Sequence, residues 1–107
     1  MNGQAIEPLT DEQISHLLGQ DQLCVVLMTA TWDGNGIILR SLIQMLSDQY
    51  ANVYFSEADF ETTPRLAKLF NMTRPPGLLF IKDGELVHRI SGPTSAGAIS
   101  SIINDYS

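Results

Sequence analysis

The run LCVVLMT at residues 23–29 places the tightest limit on the fold. It is continuously apolar and rich in β-branched residues, with no polar residue at alternate positions. A strand of this kind is buried on both faces and belongs inside a parallel or mixed sheet. Something apolar must then cover each face.

The flanking segments supply that cover. In LTDEQISHLLG (9–19), Thr10 with Gln13 three residues later forms a capping-box pattern. Ile14, Leu17 and Leu18 give that helix an apolar face, and Gly19 ends it. From Gly34 to about Tyr50, Ile38, Leu42, Met45 and Leu46 recur at helical spacing, and Ile37, Leu39 and Ile43 widen the stripe. NVYFSEA (52–58) is a second strand. TTPRLAKLFN is a short helix, with Thr63 as N-cap, Pro64 at its first position and Asn71 as a left-handed C-cap. GLLFI (77–81), the turn KDGE and LVHRIS (86–91) form a hairpin, since Asp-Gly between apolar runs favours a type I′ turn. A closing helix in TSAGAISSIINDYS turns Ala98, Ile99, Ile102 and Ile103 inward. The order αβαβαββα predicts an α/β fold with a central mixed sheet flanked by helices on both faces. No repeat or linker divides residues 1–107, so one domain is expected.

Charge and composition exclude several classes of function. Six Lys and Arg against twelve Asp and Glu give a net charge of −6. The basic residues form no cluster of the kind that displaces counterions from nucleic acid. No apolar run approaches the ~20 residues of a membrane span. The first residues lack the basic and apolar regions of a signal peptide, and cytoplasmic residence is expected. Cys24 is the only cysteine, so neither an internal disulfide nor a Cys-based metal site is available. DGNG at 33–36 fails as a calcium loop, because the fifth, sixth and twelfth positions counted from Asp33 are Ile37, Ile38 and Gln44. His16 and His88 belong to different elements. No metal, cofactor or catalytic constellation is expected. NMT (71–73) matches a glycosylation acceptor and means nothing without secretion.

Several features taken together resemble the thioredoxin family. They are Trp32 before a four-residue turn, TPRLAKLFNMTRPPGLLFIKDGE with Pro76 just before its strand, and Gly92 after the last strand. The resemblance spans nearly the whole chain and implies a thioredoxin-like fold. It also implies that Pro76 is the family's cis-proline, and X-Pro bonds are those whose cis form costs only about 0.5–1 kcal/mol.

The chain departs from the family at the chemistry. Aligned on Trp32, the two Cys-x-x-Cys positions are Asp33 and Gly36, and the family's buried acid corresponds to Leu27. Disulfide oxidoreductase activity is therefore expected to be excluded, and the chain is expected not to be an enzyme. Asp33 is read as the N-cap of the long helix, a fixed negative charge at the thiolate position. Gly34 and Gly36 suit positive φ or close backbone approach, for a tight turn or for a partner. Cys24 is expected to be a buried small apolar residue.

By resemblance, the remaining surface is a shallow groove of Trp32, Asp33, Gly34, Asn35, Gly36, Arg74, Pro75, Pro76, Gly92 and Pro93, extended by Ile37. Arg74 is expected to be its only cation. Pro75 lacks an N–H, so strand-like pairing with a bound peptide would lose one donor. The expected function is a redox-inactive thioredoxin-fold module that binds another protein or peptide, as an adaptor, assembly factor or holdase-type chaperone. Two alternatives stay open: a thiol-dependent redox helper using Cys24, and a structural homo-oligomerisation domain.

Overall fold

A computed structural model describes residues 6–30 and 34–106, with Asn35 through its backbone alone. Strand β2 (Cys24–Thr29) is buried at every position. On one side β3 (Tyr54–Asp59) runs parallel to it, Cys24 opposite Tyr54 and Thr29 opposite Asp59. On the other, β4 (Gly77–Lys82) runs antiparallel and carries β5 (Glu85–Ser91) beyond it, also antiparallel. A two-residue strand β1 (Glu7–Pro8) completes the mixed sheet in the order β1-β3-β2-β4-β5. The expected element order lacks β1. Two residues that include a proline carry no periodicity, and the strand exists only because β3 offers an edge: the Leu9 N–H donates to the Glu57 carbonyl at 2.8 Å.

The two-residue side-chain period sorts the core into two layers. Cys24, Val26, Met28, Leu79 and Ile81 face α1 (Ile14–Leu18) and α3 (Pro64–Leu69), where Leu17, Leu66 and Ala67 are buried. Val25, Leu27, Leu78 and Phe80 face α2 (Asn35–Ser47) and α4 (Ala96–Tyr106), against Leu39, Ile43, Leu46, Ile99 and Ile103. Each fully buried apolar side chain of this size contributes about 1.5–3 kcal/mol.

Helix α2 corrects the expected stripe. Gly36, Leu39, Ile43, Leu46 and Ser47 are its buried positions, whereas Ile38 is 61% exposed and Met45 44%. Apolar residues fill adjacent columns of this helix, so periodicity alone fits more than one rotation about its axis. Gly36 bears on the rotation adopted. A Cβ there would lie 3.0 Å from Thr29 Cγ2, so the buried column starts with a glycine pressed against the end of β2. In α4, Ala98 is likewise exposed, while Ile99 and Ile103 are buried.

The expected turn chemistry is present. The Gln13 side chain accepts the Thr10 N–H at 2.9 Å. Asn71 follows α3 with φ 55°, and Asp83 and Gly84 both have positive φ in the β4–β5 turn. Gly19 closes α1 at φ −88°, without the left-handed conformation. Thr63 and Pro64 open α3 as expected, but the Thr63 hydroxyl donates to the Asp59 carbonyl at 2.7 Å. The free N–H groups of Arg65 and Leu66 instead donate to the two Asp11 oxygens, each at 3.0 Å. A carboxylate from before α1 thus caps a helix more than fifty residues away. Asp11→Ala is expected to lower stability by about 1–2 kcal/mol, because two helix-end donors lose their acceptor. Urea denaturation measures this, and an unchanged midpoint would show that the cap contributes nothing.

Candidate functional site

Gly77 lies opposite Met28 on one side and Ser91 on the other. This register brings three segments to one end of the sheet: the exit of β2, the loop entering β4 and the loop leaving β5. The Pro75–Pro76 peptide bond is cis, as the resemblance implied. The Gly92 N–H donates to the Pro76 carbonyl at 3.0 Å and ties the two loops together, with Gly92 at φ 81°. Gly77 is required by close approach: a Cβ there would stand 2.8 Å from Met72 Cε and 3.1 Å from the Ile90 carbonyl oxygen.

Arg74, Pro75, Pro76, Gly92 and Pro93 come together along a groove of about 350 Å³, joined by Asn71, Thr73, Arg89 and Ser91. Pro75 and Pro76 are buried, while Arg74 and Pro93 are exposed. Arg89 corrects the expectation of a single cation. Its guanidinium donates to the Phe70 carbonyl and, at 3.2 Å, to that of Asn71, satisfying acceptors at the end of α3. Only the packing of α3 beside β5 reveals this. In the sequence, Arg89 is one charged residue in a half-exposed strand.

The other expected site residues do not all join this groove. Trp32 and Asp33 lie outside the described residues. Gly34 stands exposed at the N-cap position of α2 with φ −66°, and a Cβ there would meet nothing within 4 Å. Neither positive φ nor close approach explains that glycine. Asn35 is the first residue of α2. Gly36 and Ile37 line a different cavity, of about 570 Å³, beside β3 with Arg40, Glu57 and Asp59. There Arg40 Nε donates to both Glu57 oxygens at 2.9 and 3.0 Å, and this pairing raises the arginine's already high pKa. Among the described residues, no cluster of His, Cys, Asp and Glu suits a metal ion, and no helix is long and apolar enough to cross a membrane.

The Thioredoxin family model matches residues 5–105. The chain belongs to the thioredoxin family. It is 29% identical over 94 residues to Thioredoxin-2 of Saccharomyces cerevisiae, covering 88% of this chain and 90% of that protein. It is 32% identical over 72 residues to Thioredoxin H2 of Arabidopsis thaliana, 67% of this chain but only 54% of that protein. This chain thus aligns with about half the length of the plant relative. The solved structure of a Malassezia sympodialis thioredoxin superposes with a TM-score of 0.89 at 18% identity, over 99% of this chain and 94% of that one, which shows the shared fold.

These relatives correct the expectation that the chain is not an enzyme. They are named thioredoxins. This chain itself carries a single thiol, that of Cys24, which is free and buried.

Cys24 opens β2 and Leu27 lies within it, on opposite faces. Leu27 is fully buried, and Cys24 is 1% exposed with its thiol directed at the Leu17 and Gln22 carbonyls, at 3.8 and 3.6 Å. Burial pushes the thiol pKa from 9.0 to about 11, with Lys82 acting in the opposite sense. A folded pKa above the unfolded one means that the unfolded chain gives up the proton first. The Cys24 contribution to stability is then complete below the unfolded thiol pKa and is lost as pH rises towards the folded value of about 11. Chemical denaturation across that range should show an alkaline loss that Cys24→Ala reduces. An identical pH profile for both proteins would contradict the shifted thiol.

Proposed function

We propose that this thioredoxin-family chain binds an extended segment of another protein in the groove beside Pro75–Pro76, as an adaptor, assembly factor or holdase-type chaperone. One observation carries this reading: the cis-proline loop, the Gly92 loop and exposed Arg74 converge on a single open groove at the end of the sheet. Arginine is a frequent energetic anchor of protein interfaces. Pro75 offers no N–H, so a bound segment is held by side chains and by carbonyl acceptors. A reducing compartment such as the cytoplasm suits a chain whose one cysteine is free and buried. Proteins captured by the wild-type chain should be lost with Arg74→Glu and retained with Gln49→Glu, an exposed position beyond the far end of α2. Equal recovery with all three would overturn the reading.

The names of the relatives favour a second reading, a thiol-dependent helper in which Cys24 forms a mixed disulfide. Oxidised glutathione added to the native protein distinguishes the two. Burial of the thiol predicts no adduct over hours by mass spectrometry, whereas rapid gain of one glutathione on the folded chain would establish the helper.

A further inference from the structure

The described residues that line the groove carry only positive charge. Arg74 and Arg89 both line it, two of the six cations in a chain of net charge −6. Among the described residues no Asp or Glu lines it. The one ion pair among those residues is Arg40–Glu57, beside the other cavity, so neither groove arginine has a carboxylate partner there. Arg89 is held in place by neutral carbonyls, which orient its guanidinium, and among the described residues no carboxylate pairs with it.

Four positions of the groove offer a ligand no free backbone N–H. Pro75, Pro76 and Pro93 have no N–H, and the Gly92 N–H is already given to the Pro76 carbonyl. Arg74 carries five N–H donors on an exposed side chain and is the strongest donor left for a ligand. Guanidinium donors pair best with an acceptor that brings its own negative charge.

We infer that the groove selects an acidic extended segment of a partner protein, with a carboxylate side chain pairing to Arg74 within the field of Arg89. This rests on the groove being the binding face. Two cations match one or two carboxylates. They fall short of the several phosphate contacts that sustain nucleic-acid binding, and of the four to eight clustered cations that hold anionic membranes. The chain's net charge of −6 works against a polyanion as a whole and favours a short segment.

A labelled extended peptide containing glutamates, and its twin with glutamines in their place, test this by fluorescence anisotropy and amide chemical-shift mapping. The glutamate peptide should bind about ten-fold more tightly than its twin, the size of one charge-assisted hydrogen bond. It should shift the amides of Ser91 and Gly92 and weaken as salt is raised. Arg74→Gln, at an exposed position, should remove that advantage and bring the two peptides to equal affinity. Equal binding of the two peptides at Ser91 and Gly92 would overturn the acidic preference and leave the groove as a binding face. No shift at those amides with either peptide would overturn both. Displacement of the glutamate peptide by an oligonucleotide or by anionic vesicles at equal charge would also overturn the inference.

Discussion

Everything in this structure depends on a strand that has no polar face. Each side chain of β2 from Cys24 to Thr29 is buried, so the strand cannot lie at a sheet edge or present one face to water. It needs a neighbour on each side and a helical layer above and below. β3 and β4 supply the first, and the α1/α3 and α2/α4 pairs the second. Leu27 is part of the same constraint. A carboxylate at that depth would need a partner to offset its desolvation, and leucine packs there without one.

The groove is a consequence of the same register. Because Gly77 stands between Met28 and Ser91, the loops before β4 and after β5 emerge side by side. Gly77 lets Met72 pack against the strand, and Gly92 binds the proline loop through one hydrogen bond. Arg89 acts on the same loop from below by holding the end of α3. Positioning and charge therefore come from one side chain. The cavity on the β3 side is of another kind, with its arginine already committed to Glu57.

Much of this could be read from residues alone. The buried run, the Asp83-Gly84 turn, the Asn71 cap and Pro64 at the start of α3 each have a local physical cause, and each stands where its cause requires. Arg74, Pro75, Pro76, Gly92 and Pro93 were reachable through the family resemblance, and they do share one groove. Gly36 and Ile37 were assigned to that groove through the same resemblance, yet they line the other cavity. Arg89 was missed for the opposite reason: nothing near it in the chain marks the carbonyls that it serves.

The sequence by itself determined the elements, their two-sided sheet and the caps and turns whose partners lie within a few residues, because those depend on local dihedral preference and on periodicity. Tertiary structure decided what periodicity leaves degenerate or what needs a distant partner. The rotation of α2 that buries Leu39 and exposes Ile38 depends on Gly36 meeting Thr29. Strand β1 exists only as a partner for β3, and the cap of α3 arrives from Asp11. The pairing of Arg74 with Arg89 in one groove arises only when β5 is laid beside the end of α3. In each case the deciding contact joins residues far apart in the chain, and no local pattern records it.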